Sequence, residues 1–465
     1  HGRRLCRTGV PSPGHRSLMA LSGFWDRRRG GLLFKRDGRR RRLFAGVDKI
    51  LWWIPLAMIF VAGFLIASTQ RQAGYADWYQ HWVTAAVGLV IALLLAKVPV
   101  ERITRWTWPI YGAMVASLIA VRLIGVSALG AQSWINIAGF NVQPSEFAKI
   151  AAILLLAQVL ARHPVERPVD LVRPVATISI PWFLVLIQPD LGTSLVFGAV
   201  LLVMMFWSGM PGAWVVLLIS PVVTSVLAGV FPWLLLLWIP AMAVIAARSL
   251  PWKRLAPLVV LAIQGLFAVG TPWLWNNFLQ PHQRDRLTLF LDPNKDPLGG
   301  GYHLLQSTVG IGSGGWFGTG LLQGHLTLLR FIPEQHTDFI FSALGEETGF
   351  LGSALVVLGF VAWIWRLLKI AGQARTDVES LVVIGVGAMV MFQVVVNINM
   401  TIGLGPITGI PLPWLSYGRS AMLVNFIGLG LCASVARGIK QPAKQRHLVL
   451  QQRLLSQGSI LTLRI

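Results

Sequence analysis

Residues 50–68, ILWWIPLAMIFVAGFLIAS, run for nineteen positions without an ionisable side chain. At about 1.5 Å of rise per residue a helix of this length reaches about 28 Å, close to the roughly 30 Å hydrocarbon layer of a bilayer. Backbone N–H and C=O groups find no water in that layer, so the run reads as a helix, which satisfies them internally. The rest of the chain repeats the pattern. Further apolar runs lie at 81–98, 106–124, 146–161, 175–187, 191–207, 214–230, 233–247, 255–274, 338–368, 381–400 and 416–435. Hydrophobic residues make up 55% of the 465 and charged residues 12%, against about 25% charge in a soluble domain. The expectation is an all-α polytopic integral membrane protein, a bundle of about ten to twelve transmembrane helices. The pair between Trp214 and Ala247 decides between the two counts.

The formal charge is +22, and its distribution carries the topology. Residues 1–49 hold fourteen Lys/Arg against three Asp, and residues 437–465 hold six Lys/Arg and no acid. Both segments read as basic cytoplasmic tails facing anionic membrane lipids, flanking a transmembrane domain at 50–436. No recognised nucleic-acid motif accompanies them, so nucleic acid is not expected as a partner. Residues 1–18 precede Met19 and read as an upstream extension outside the fold; no cleavable signal is evident. Cys6 and Cys432 suggest neither a disulfide framework nor a metal cluster. The connections at 97–105, 162–173, 248–254 and 366–375 are rich in Lys/Arg, whereas those near 70–80, 126–145, 188–190 and 401–415 hold almost none. The second set, with the long connection 275–337, is therefore expected on the outer face.

That long connection contains PHQRDRLTLFLDPNKDPLGGGYHLLQS, residues 281–307. Arg284 and Arg286 come first, then Asp292 and Asp296, each followed by proline, then three glycines. A residue before proline is pushed out of the helical region, so both aspartates should sit on extended or turn backbone. A fixed carboxylate beside arginines suits an anionic substrate; a solvated polar loop is the plainer alternative. The four histidines His282, His303, His325 and His336 match no metal-ligand spacing.

Ionisable residues at membrane depth are costly and invite a functional reading. In NVQPSEFAKI, Pro144 suits a first helical position, with Gln143 or Asn141 near the cap and Glu146 in the first turn. Lys149 lies on the same face one turn deeper. Either Lys149 and the helix start bind an anionic headgroup, or Glu146 and Lys149 merely satisfy each other. Trp134 is an interfacial belt residue or a substrate platform. Asp190, in IQPDLGTS, reads as a helix cap. His336 and Asp338 stand at a span entrance, and Glu346 and Glu347 lie inside that span. Two buried carboxylates need partners or protonation, so proton relay and pairing with a basic group are both open. The stretch 397–423, rich in glycine and proline, is broken backbone that needs a cavity or protein against it.

Taken together, GAQSWINIAGFNVQPSEFAKI, IQPDLGTS, QRDRLTLFLDPNKDPLGGGYHLLQS, IPEQHTDFIFSALGEETGFLG and GPITGIPLPWLSYG resemble, in order, the motifs of the SEDS family (shape, elongation, division and sporulation) and most closely its RodA branch. The resemblance implies a SEDS-type helical bundle with one large extracytoplasmic loop, here 275–337. It implies a glycosyltransferase of the bacterial cytoplasmic (inner) membrane, active on the extracytoplasmic face, that polymerises lipid II with a class B penicillin-binding protein as partner. It implies Asp296 as the essential carboxylate. Arg284, Arg286, Lys149, Glu146, Gln143 and Trp134 become substrate-side candidates, and His336, Asp338, Glu346 and Glu347 supporting ones. No metal site or cofactor is expected, a divalent cation such as Mg2+ being an optional helper. The chain departs from the pattern at His282, Ser133, Arg419 and Ala421, and the region 214–274 is longer than a ten-span plan needs. A lipid II transporter and a non-catalytic scaffold for a transpeptidase are the alternatives.

Overall fold

A computed structural model describes residues 48–70, 78–128, 131–137, 140–188, 190–277, 284, 289–296, 300–329, 331–332 and 334–440. Residues 1–47 and 441–465, which make up most of the two basic tails, lie outside this set, as do His282 and Arg286. Helices α1 (Lys49–Gln70) and α2 (Trp78–Leu95) are followed by a short helix α3 (Val100–Thr104) and by α4 (Thr107–Ile124). Strands β1 (Val126–Ala128), β2 (Ala131–Ile137) and β3 (Phe140–Val142) come next, then helices α5 (Pro144–Arg162), α6 (Val172–Ile187) and α7 (Leu191–Trp207). Helices α8 (Gly212–Val230), α9 (Leu235–Ser249) and α10 (Leu255–Asn277) precede the long connection. Within and after it lie α11 (Gly300–Ser313), α12 (His325–Leu329), α13 (Ile340–Gly372), α14 (Asp377–Thr401) and α15 (Arg419–Lys440). Among the described residues ten helices are long and apolar enough to cross a membrane, and α4 and α7 are shorter apolar helices. Every apolar run of the sequence is thus a helix, including the pair α8 and α9.

The helices that carry the buried polar residues form the middle of the bundle. Helix α14 packs against α5, α7, α13 and α15, and α15 against α2. Close approach needs small residues where backbones meet. A Cβ added at Gly385 of α14 would lie 2.6 Å from Ile153 of α5 and 2.8 Å from Met204 of α7. In contrast, α8, α9 and α10 pack chiefly on one another around a small core of Met242, Ala246, Ala256 and Val260. A polar seam joins α8 to α10, where Gln264 bonds Ser220 and Thr224, and Thr271 donates to Ser225 at 2.9 Å. Their other faces are apolar and exposed, as lipid-facing helices require.

Two regions depart from the sequence reading. Residues 126–142, expected as an irregular outer segment, form a three-stranded antiparallel sheet in the order β1-β2-β3. The apolar run 338–368, expected as one span, is interrupted at Gly349, whose φ of 66° and ψ of −165° are not helical. The interruption breaks the bonds that Phe350 and Leu351 would make to Glu346 and Glu347. Residues 315–320 supply the replacements. Thr319 and Gly320 donate their amides to the Glu346 and Glu347 carbonyls, at 2.9 and 3.1 Å, and Phe350 and Leu351 donate to Gly315 and Trp316, at 2.9 and 3.2 Å. All four orphaned groups are satisfied, as buried backbone requires.

Candidate active site

The start of α5 gathers three segments that are far apart in sequence. Gln143, just ahead of Pro144, makes no side-chain cap on its own helix. Its amide Nε2 instead donates to Asp190 Oδ2 at 3.1 Å, and its backbone N–H donates to Ser420 Oγ at 3.0 Å. Ser145 Oγ approaches the same Asp190 oxygen at 3.5 Å, while Asp190 Oδ1 caps α7 by accepting from Thr193 N at 3.0 Å. One carboxylate therefore fixes the first turns of α5 and α7 together. The cap expected at Asp190 is present, and its second oxygen does work the sequence did not disclose.

Residues 402–418, between α14 and α15, form the hub behind this set. Gly192 stands against the Thr408 carbonyl, where a Cβ would lie 2.5 Å away. Asn397 Nδ2 donates to the carbonyls of Asp338 and Ile410, at 2.7 and 2.8 Å. Tyr417 N donates to the His336 carbonyl at 2.8 Å, and its hydroxyl to Gln80 at 3.1 Å. Ser307 of α11 donates to the Thr401 carbonyl at 2.6 Å. Ile410, Leu412, Trp414 and Leu415 are buried, so the broken backbone lies against protein. His336 and Asp338 are thereby held at the entrance of α13 beside the α14–α15 connection.

One turn into α5, Lys149 Nζ lies 2.7 Å from Glu146 Oε1, with both side chains almost wholly buried. The satisfied-pair reading of these residues is the one the geometry displays. Paired in this way, Glu146 and Lys149 offset each other. An anionic ligand at this spot therefore needs positive charge brought in from elsewhere. Trp134 sits on β2 opposite Val126, half-buried, in the sheet that β2 packs against α4 and α5.

The two aspartates of the long connection flank a single 3-10 turn, Pro293–Lys295. Their backbones are extended, with φ and ψ of −148° and 83° at Asp292 and −142° and 73° at Asp296, as expected before proline. Asp292 is exposed and Asp296 half-buried. Gly301 N donates to the Asp296 carbonyl at 3.0 Å, and a Cβ there would collide with the Pro293 carbonyl at 2.2 Å. Gly301 thus lets α11 start directly against the turn that carries Asp296. Arg284 is half-buried, and Arg286 lies outside the described residues. The connection is consequently less of a loop than expected, because α11 and α12 are built into it.

Glu346 and Glu347 are both buried, and the donors found for them are amides and hydroxyls rather than a basic side chain. Glu346 accepts from Leu326 N at 2.7 Å, Thr327 N at 2.9 Å and Thr327 Oγ1 at 2.6 Å, holding the start of α12. Glu347 accepts from Leu322 N at 3.0 Å and from the Ser68 hydroxyl of α1. Among the described residues no group of three or more His, Cys, Asp or Glu is arranged to hold a metal ion.

The comparisons agree with this architecture. The profile of the FtsW/RodA/SpoVE cell-cycle protein family matches residues 41–237 and 233–441, the two matches meeting between α8 and α9. Peptidoglycan glycosyltransferase RodA of Treponema pallidum is 35% identical over 425 residues, covering 84% of this chain and 98% of the relative. Peptidoglycan glycosyltransferase MrdB of Escherichia coli K12 is 34% identical, over 75% of this chain and 83% of its own length. A solved structure described as "Structural coordination of polymerization and crosslinking by a peptidoglycan synthase complex" superposes with a TM-score of 0.64 at 30% identity, covering 86% of this chain and 100% of that one. The crystal structure of the rod-shape-determining protein RodA of Thermus thermophilus superposes with a TM-score of 0.57 at 25% identity, with the same coverage. This chain is an integral membrane protein and a member of the FtsW/RodA/SpoVE family.

Proposed function

We propose that this protein is a peptidoglycan glycosyltransferase that polymerises lipid II at the extracytoplasmic face of the bacterial cytoplasmic membrane, serving cell-wall elongation. The observation that carries the reading is Asp296: a half-buried carboxylate on a pre-proline bend, fixed by the turn Pro293–Lys295 and by Gly301. The names of the two curated relatives support the reaction class.

Asp296 acts as general base on the acceptor sugar hydroxyl. The hydroxyl oxygen forms a bond to the anomeric carbon of the donor as the bond to undecaprenyl pyrophosphate breaks. The leaving group keeps the electron pair, and the proton passes to Asp296. Positioned proton transfer of this kind contributes about 10²–10⁴-fold. Arg284 and Arg286 bring the positive charge that the pyrophosphate requires, and a guanidinium fork suits its oxygens. Lys149 contributes only if it shares its charge between Glu146 and the ligand. A divalent cation such as Mg2+ would enter with the pyrophosphate. A class B penicillin-binding protein is the crosslinking partner, in line with the neighbouring synthase complex.

The transporter alternative rests on intramembrane Glu346 and Glu347 and on broken helices; against it, both acids are engaged by amide and hydroxyl donors. The test is polymerisation of labelled lipid II by purified protein, with and without a candidate transpeptidase. Asp296→Asn should make no glycan and Asp292→Asn should retain activity. Wild-type-like chains from Asp296→Asn overturn the assignment; binding of lipid II without turnover under every partner condition supports the scaffold reading.

A further inference from the structure

We propose that residues 314–321 form a membrane-interface anchor, with Trp316 and Phe317 seated in the headgroup layer of the bilayer. The position of this loop along the membrane normal follows from its clasp on α13. After the break at Gly349, α13 continues to Arg366 and Lys369, the basic residues at its far end. At about 1.5 Å per residue, Gly349 lies about 26 Å from Arg366 and about 30 Å from Lys369. Those distances match a hydrocarbon layer of about 30 Å. The clasp therefore stands at the opposite boundary of the apolar layer, and Ile340–Thr348 projects beyond it.

The chemistry of the loop fits that height. Residues 304–324 carry no ionisable side chain. Trp316 and Phe317 are 66% and 81% exposed, and Trp316 meets Phe350 edge-on at 5.2 Å. The exposed patch is continuous with the apolar stripe Leu351, Leu355, Leu358 and Val361 down α13. That stripe ends at Trp365, over whose ring Lys369 Nζ sits at 3.4 Å from the centroid. Aromatic residues at both boundaries of a lipid-facing stripe are the pattern of membrane belts. A lipid surface is thus the occupant that the height, the neutrality and the continuity select. Glu346 and Glu347, just before the break, are bonded to residues 322–327, so the loop is stapled to α13 on one side and rests on lipid on the other. The consequence is that α11 and α12, which flank this loop, ride at the level of lipid headgroups, whatever reaction occurs above them.

The experiment uses the full chain in nanodiscs of phosphatidylcholine and phosphatidylglycerol, with Cys6→Ser as background; Cys432 is fully buried. Nitroxide labels are placed by Phe317→Cys, by Leu355→Cys as a mid-lipid reference and by Lys295→Cys as an aqueous reference. Collision with dissolved oxygen at 317 should exceed that at 295 and fall below that at 355, and collision with a water-soluble nickel chelate should fall well below that at 295 and stay above that at 355. Nickel accessibility equal to that at 295 overturns the proposal, as does low accessibility to both reagents, which means a second copy or another protein surface covers the loop. Trp316→Phe offers a label-free check: the emission lost by the substitution, read as the wild-type-minus-variant difference among twenty tryptophans, should be quenched by lipids brominated near the glycerol backbone, and an unquenched difference counts against the anchor.

Discussion

Gln143 and Asp190 are 47 positions apart in sequence and 3.1 Å apart in space. Their bond locks the first turn of α5 to the first turn of α7, with Ser420 of α15 completing the set through the Gln143 backbone. Because α5 also carries Glu146 and Lys149, this joint sets where the buried ion pair stands.

Replacing Asp190 tests the joint and the cap together. Asp190→Ala leaves both the Thr193 amide and the Gln143 amide without acceptors, at a cost of about 1–3 kcal/mol for each unsatisfied group. Asp190→Asn keeps a carbonyl for Thr193, and a flipped Gln143 amide can accept from the new NH₂. Thermal unfolding in detergent should show a clear drop for alanine and a small one for asparagine. Equal drops would show that these two hydrogen bonds are not what Asp190 contributes to the fold.

The break in α13 predicts an uneven response to alanine. At Gly349 the positive φ disfavours any side chain, and a Cβ would sit 2.3 Å from Gly318 N. Gly349→Ala should therefore abolish folding or lower the melting temperature sharply. Gly265 of α10 has open space at its Cβ position, and Gly265→Ala should be neutral or stabilising by up to about 1 kcal/mol. Similar melting temperatures for the two variants would refute the clasp.

The contrast between these glycines shows what sequence could reveal. Spans such as Ile50–Ser68 are legible because lipid imposes length and apolarity on each segment by itself. Extended backbone at Asp292 and Asp296 is equally legible, since proline acts on its immediate neighbour. The joint between Gln143 and Asp190, the amide partners of Glu346 and the break at Gly349 are not, because each depends on a segment supplied from elsewhere in the chain. EETGFLG carries no local mark that residues 315–320 will replace two of its helical bonds. The sheet at 126–142 escaped notice for a related reason: its strands are three to seven residues long, and their alternation is too brief to separate from a loop.

The end of the bundle where α1 begins has its own latch. Arg366 Nε donates to Asp48 Oδ2 at 2.7 Å, Nη2 bonds the same oxygen, and Trp363 Nε1 donates to the Leu51 carbonyl at 3.2 Å. Asp48 is buried. Arg366→Ala should destabilise the fold markedly, with an upper range of about 3–5 kcal/mol for a fully buried pair. Arg366→Lys should recover only part of this, because one ammonium replaces a planar fork. Chemical unfolding midpoints of the two variants decide the matter; full recovery by lysine would mean charge alone is needed.

The pair Glu146–Lys149 allows structural and substrate roles to be told apart. Lys149→Met alone leaves a buried carboxylate without its cation, and a loss of about 3–5 kcal/mol is expected. Adding Glu146→Gln removes that orphan charge, so the double variant should regain most of the wild-type melting temperature. Its polymerisation of lipid II then reads the remaining role of Lys149. If the lysine only neutralises Glu146, the double variant polymerises at near wild-type rate. If it shares its charge with the pyrophosphate, KM for lipid II rises while the melting temperature holds. The 2.7 Å contact between Lys149 and Glu146 favours the first outcome, leaving the pyrophosphate to Arg284 and Arg286. A double variant that is stable yet binds lipid II at least about tenfold more weakly, a loss near 1.4 kcal/mol, would reverse that conclusion.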